Sequence, residues 1–390
     1  MKTGLERLLA HPSKWLQNHR IGLIANPTTV TADLKHGADL LAAHPDINLV
    51  KLFGPEHGIR GDEQDMLSVG DEIDQQTGLP VVSLYGKSFE SLRPQPEHLQ
   101  DLDVLLFDIQ DIGTRYYTYA ATMALAMQAA EESQIKVIVL DRPNPISGQQ
   151  VEGGGIEAGL ENFCGLYPIP QRHAMTVGEL AKLYNQYFDI GCELEVITCD
   201  HWKRETYFDG LGLPWVMPSP NMPTLDTAIV YPGLGLLEGT NISEGRGTTR
   251  PFELFGAPFI DAAKLQNELE SCDLAGVSFR PCTIMPTFHK HQGEICGALQ
   301  IHVRDRNSFH AYRTGLALLY SLRKLYPEDF KWRSDMYEFR DDVPAIDLLT
   351  GSAVVRQAID NGEPLEKVWS LSEHSLTTYN EARDKVLLYE

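Results

Sequence analysis

Short, almost continuously apolar runs alternate with segments of helical spacing along the first half of the chain. Runs at 21–25, 49–53, 80–86, 104–108 and 136–141 read as strands, and a sixth follows at 193–199. Residues 33–44, 96–101, 117–133 and 176–188 carry helical spacing, and Thr176 with Glu179 makes a T-x-x-E capping box at the start of the last. Strands that are apolar on both faces and alternate with helices build a parallel sheet covered on both sides. The pattern therefore predicts an α/β fold with a doubly wound, Rossmann-like sheet. Residues 1–10 have the pattern of an amphipathic helix, and 151–175 are irregular. A Gly- and Pro-rich stretch at 206–225 predicts a junction between a domain of residues 1–205 and one of residues 206–390. Beyond it the alternation thins, to helices at 261–271 and 308–325 and strands at 276–280 and 297–303.

The strand ends hold the chemistry. The run at 49–53 stops at Gly54-Pro55, which a strand interior does not tolerate, and Glu56, His57 and Arg60 follow between Gly58 and Gly61. The first run ends at Asn26, the third at Tyr85, the fourth at Asp108 with Gln110 and Asp111 behind it, and the fifth at Asp141-Arg142. In an open parallel sheet these ends share one edge, where ligands bind. Asp108 and Asp141 have a simpler use as well, since Asp holds loop and turn amides. Tyr116, Tyr117 and Tyr119 at a helix start either pack or offer a face to a sugar. The turn after the first strand has no G-x-G-x-x-G, and Val81 stands where a P-loop ending in Gly86-Lys87-Ser88 needs its first glycine. A second polar stretch, from Glu238 through Thr240, Asn241, Glu244 and Arg246 to Glu253, is spaced by three glycines, so that backbone amides could approach an anion.

Bulk properties narrow the function. Among 390 residues the formal net charge is −21, which argues against nucleic acid or an anionic membrane surface as the main partner but not against a small anion held by one Arg. No stretch reaches the roughly 20 apolar residues of a membrane span, and residues 1–10 do not read as a signal peptide. Six cysteines without a C-x-x-C pair suit free thiols, which predicts a cytoplasmic protein, or a periplasmic or secreted one if a leader has been removed. His289, Lys290, His291 and Cys296 lack a second cluster with which to hold a metal, so no metal or other cofactor is expected.

Several long motifs together resemble the NamZ-type exo-β-N-acetylmuramidases, formerly a family of unknown function. They are Gly22-Leu-Ile-Ala-Asn-Pro-Thr28, Leu52-Phe-Gly-Pro-Glu-His-Gly58, Phe107-Asp-Ile-Gln-Asp-Ile-Gly-Thr-Arg-Tyr-Tyr117, Leu140-Asp-Arg-Pro-Asn-Pro145, Pro218-Ser-Pro-Asn-Met-Pro223, and Glu238-Gly-Thr-Asn241 with Arg246-Gly-Thr-Thr-Arg-Pro-Phe252. The resemblance implies a Rossmann-like domain, a smaller carboxy-terminal α/β domain, and a cleft between them. It also implies release of N-acetylmuramic acid from the non-reducing end of peptidoglycan fragments, with Glu56 as the catalytic glutamate. Glycoside hydrolysis needs a proton donor and a second carboxylate. Glu56 is expected as general acid with His57 beside it, and Glu244 as the second group, with Asp108 and Asp111 as rivals. Arg246 or Arg60 would fork the lactyl carboxylate of muramic acid. Asn26, Asn221, Thr240 and Asn241 suit hydroxyls or the acetamido group, and Tyr117 and Asp141 complete the expected contacts. The alternatives are a sugar-binding protein without turnover and a metal-dependent hydrolase using Asp108, Asp141 and His57.

Overall fold

The computed structural model describes residues 1–61, 72–86, 88–373 and 375–390; Lys87, in the rejected P-loop, lies outside them. The first sheet contains β1 (Arg20–Ala25), β2 (Asn48–Gly54), β3 (Glu72–Ile73), β4 (Pro80–Ser83), β5 (Val104–Asp108), β6 (Lys136–Leu140) and β7 (Leu194–Ile197). Their spatial order is β3-β4-β2-β1-β5-β6-β7. All neighbours pair in parallel except β3, a short antiparallel edge strand that the apolar pattern does not reveal. Without it, the strands run third-second-first-fourth-fifth-sixth, the doubly wound order with its switch point between β1 and β5.

Alternate residues divide between the sheet's two faces. Leu23, Val104, Leu106 and Ile138 pack under the helices Gly4–Ala10 and Gly37–Ala42. Ile24, Leu105, Phe107, Val137 and Val139 pack under Tyr119–Glu132 and Val177–Tyr187. The helix expected at 33–44 is shorter because it starts only after His36, whose ring Nδ1 accepts from Ala38 N.

The second half is built on an antiparallel sheet, ordered β8-β10-β9, of β8 (Leu254–Ala257), β9 (Val277–Ile284) and β10 (Cys296–Val303). The helix Leu225–Leu234 has no amphipathic signature because nearly all of it is buried, and Pro232 lies inside it. It crosses Ala311–Leu325 closely: a Cβ on Gly233 would lie 1.9 Å from the carbonyl oxygen of Ala311. Among the described residues, four short helices follow between Ala345 and Arg383. One apolar core runs from the first sheet through Tyr116, Tyr231 and Leu237 to Phe255 and Leu316, so both halves share it.

Candidate active site

The switch point itself is filled by the protein. Thr29 Oγ1 donates to the Asp108 carbonyl, and Asn26 Oδ1 accepts from Thr28 N at 2.9 Å. Arg142 forks the fully buried Asp108 carboxylate through Nε at 2.5 Å and Nη2 at 2.9 Å. Asp141 accepts from Gly178 N at 2.7 Å and Thr176 Oγ1 at 2.8 Å, at the start of the Val177–Tyr187 helix. Asp111 binds His173 Nε2 at 3.1 Å. The aspartates expected at the strand ends thus hold loops together through these contacts.

The open space lies to one side, over the ends of β2 and β4. A cavity of about 350 Å³ is lined there, among the described residues, by side chains from both halves. Glu56 and His57 enter from the turn after β2, where His57 and Gly58 both take left-handed backbone with φ of 72° and 71°. The Glu56 side chain is 26% exposed, lies 4.0 Å from His57 Nε2, and accepts from Thr118 Oγ1 at 3.4 Å. Thr118 precedes the helix Tyr119–Glu132, so Glu56 faces the positive end of that helix. Tyr116, Tyr117, Tyr119 and Tyr231 form an aromatic wall, with edge-to-face contacts of 5.2–5.8 Å between ring centroids. Tyr119 donates to Pro218 O at 2.6 Å, which fixes the Pro-rich segment carrying Ser219 and Asn221 against the first sheet.

The second half supplies Glu238, Arg246, His289, Arg333, Tyr337 and Glu338. Glu238 comes off the 3₁₀ turn Gly235–Gly239; it accepts from Arg246 Nη2 at 2.5 Å and from Tyr337 OH at 2.9 Å. Glu338 is half-buried, and burial together with the charges of Glu56 and Glu238 pushes its carboxyl up to about 8. Glu338 was not expected from the sequence. It lies in an irregular segment and takes a left-handed φ of 46°, with no motif to mark it.

Of the expected residues, Glu56, His57, Tyr117, Asn221 and Arg246 meet in this cavity. Glu244 does not line it. Its fully buried carboxylate sits among Lys290 Nζ at 3.0 Å, Arg246 Nε at 3.1 Å and His289 Nδ1 at 3.4 Å, so it orients Arg246 from behind. Asn26, Asp108, Asp111 and Asp141 are held in the contacts above. Arg60 is tied to Asp74 and Asp39 at 2.7–2.9 Å and lines no part of the cavity. Thr240 Oγ1 accepts from Ile242 N at 3.0 Å, and Asn241 bridges Asp329 O and Lys331 N; both brace the polar loop. The loop's glycines serve backbone packing and not an anion: a Cβ on Gly247 would lie 2.7 Å from the amides of Thr287 and Phe288. Among the described residues no three His, Cys, Asp or Glu side chains gather as a metal site, and Asp108, Asp141 and His57 do not converge.

Two family models cover the chain: the amino-terminal model of the exo-β-N-acetylmuramidase NamZ matches residues 21–226 and the carboxy-terminal model matches 229–389. The peptidoglycan β-N-acetylmuramidase NamZ of Bacillus subtilis strain 168 is 49% identical over 389 residues, spanning 100% of this chain and 91% of that protein. Crystal structures of two DUF1343 family proteins from Bacteroides fragilis superpose with TM-scores of 0.90 and 0.78, at 37% and 28% identity, each match covering 100% of this chain and 99% of the other. The cavity between the two halves, the glutamate of the Gly-Pro-Glu-His-Gly turn within it, and these matches along the whole length place the chain in the NamZ exo-β-N-acetylmuramidase family.

Proposed function

We propose that this protein hydrolyses the glycosidic bond of N-acetylmuramic acid at the non-reducing end of peptidoglycan fragments, with Glu56 as general acid. The observation that carries the reading is a single cavity, about the size for one N-acetylated sugar, in which Glu56, Glu238 and Glu338 meet beside an aromatic wall. Residues 1–205 supply Glu56 and three of the wall tyrosines; residues 206–390 supply the other two carboxylates. Glu238, ion-paired with Arg246, is the second carboxylate of the reaction. Glu338 keeps a proton inside the cluster from which Glu56 is reloaded. His57 orients Glu56, and Asn221 meets the sugar's polar substituents. The substrate is a saccharide fragment. No described helix is long and apolar enough to cross a membrane, and the free thiols favour the cytoplasm as the compartment.

The raised pKa of Glu338 favours a second reading, in which Glu338 donates the proton and Glu56 acts as base or nucleophile. The leaving group separates the two. 4-Nitrophenol departs without help from an acid, whereas a sugar hydroxyl does not. On the first reading, Glu56→Gln retains most activity on 4-nitrophenyl β-N-acetylmuraminide but loses about 10²- to 10⁴-fold on a disaccharide with a sugar leaving group. The same split in Glu338→Gln, with Glu56→Gln dead on both substrates, reverses the roles. Full activity of both variants on both substrates would remove the cavity from the reaction.

A further inference from the structure

Muramic acid differs from glucosamine by a lactyl ether that ends in a carboxylate. Its anion must enter a cavity already lined by three glutamates, so a cation there has to receive it. Among the described residues, four positive or ionisable nitrogen side chains line the space: His57, Arg246, His289 and Arg333. Arg246 is fully engaged. It pairs with Glu238 at 2.5 Å and with buried Glu244 at 3.1 Å, and stacks 5.4 Å from the Phe252 ring. Turning it toward a ligand would break its pairs with Glu238 and with buried Glu244, which is costly. His289 faces the same Glu244, and His57 lies beside Glu56.

Arg333 is placed differently. Its backbone is clamped from both sides, by Arg333 N to Gly239 O at 2.8 Å and Ala345 N to Arg333 O at 3.1 Å, next to the turn that carries Glu238. Its guanidinium lies 5.1 Å from the Tyr337 ring centroid and donates Nη2 to Met336 O at 3.0 Å, so the fork is held in position. Its acidic partner is Asp335, reached by Nε at 3.1 Å and Nη2 at 2.9 Å, and the Asp335 side chain is 72% exposed. An ion pair with so exposed a carboxylate is worth little and exchanges readily. Nη1 has no protein acceptor among the described residues.

We propose that Arg333 is the fork that binds the lactyl carboxylate, displacing Asp335, and that it sets the preference for muramic acid over glucosamine. This rests on the muramidase reading above. The test compares wild type, Arg333→Ala, Arg333→Lys and Asp335→Asn on 4-nitrophenyl β-N-acetylmuraminide and on the same glycoside with its lactyl carboxyl converted to the primary amide. Calorimetric binding of free N-acetylmuramic acid and N-acetylglucosamine runs alongside. Arg333→Ala is expected to lose about ten- to a hundredfold in kcat/KM on the acid, mostly through KM, and to change little on the amide. Arg333→Lys recovers part of the loss, and Asp335→Asn binds muramic acid more tightly because the competing carboxylate is gone. Equal losses on acid and amide, or unchanged binding of muramic acid by Arg333→Ala, would overturn the assignment. If the wild type cleaves neither glycoside, the muramidase reading fails while binding still decides the fork. A wild type that binds muramic acid no better than glucosamine removes the fork as well.

Discussion

Burial first, and then the neighbouring carboxylates Glu56 and Glu238, push the Glu338 carboxyl up to about 8 from an ordinary 4.5. A carboxyl whose pKa is raised in the fold binds its proton more tightly there than in the unfolded chain. Its contribution to stability is complete below about 4.5, declines as the unfolded chain ionises, and is lost as pH rises through about 8. Glu338→Gln, neutral at every pH, should therefore gain stability relative to wild type between about pH 5 and about pH 8. Urea unfolding across that range checks it; a constant difference would contradict the raised pKa. Glu244 is the contrast: although burial opposes ionisation, Lys290, His289 and Arg246 hold its carboxyl well below the usual range. Sequence reading reached Glu56 because a Gly-Pro break after a buried strand announces a loop at the sheet edge. For the second group it favoured Glu244 over Asp108 and Asp111, since His289 and Lys290, which enclose the Glu244 carboxylate, come from a distant segment. Glu338 lay beyond reach altogether, since neither a strand end nor a glycine pattern leads to it.

Among the elements, the six parallel strands were legible because burial on both faces leaves continuous apolar runs. The helix Leu225–Leu234 was not, because a helix buried nearly all round loses the period of 3.6 and Pro232 argues against it. The edge strand β3 has only two residues, too few for any alternation to show. The strand ends were read correctly as one edge of the sheet, but the crevice at the switch point is plugged by Asn26, Thr28, Thr29 and the Asp108–Arg142 pair. That plug is structural and has a measurable consequence. Arg142→Ala leaves Asp108 buried without its partner and should cost about 3–5 kcal/mol in urea unfolding. Replacing both residues with apolar ones, Asp108→Leu with Arg142→Met, should recover much of the loss. A double variant no better than the single one would mean that the pair does more than neutralise itself.

At the scale of the whole molecule, the two halves interlock through buried polar contacts as well as the shared core. Glu152, in the first half, accepts from the backbone amides of Ala311 and Tyr312 at the start of the Ala311–Leu325 helix and pairs with buried Arg172. Buried Arg115 donates to the carbonyl of Leu349. The carboxy-terminal residues return to the first sheet: Leu388 N donates to Glu179 at 2.8 Å, and Tyr389 OH donates to Asp141 and accepts from Cys199 N. Tyr389→Phe removes that hydroxyl from a buried network distant from the cavity. It should cost about 1–2 kcal/mol of stability with kcat unchanged. A fall in kcat at a temperature where the variant is fully folded would show that the tail also controls the cavity.

The carboxylates that meet in the cavity sit near the beginning, beyond the middle and near the end of the chain, at 56, 238 and 338. During synthesis Glu56 leaves the ribosome early and Glu338 late. A partly made chain holds one corner of the proposed site without the others, so the hydrolysis proposed for it would wait until all three segments are made and folded together.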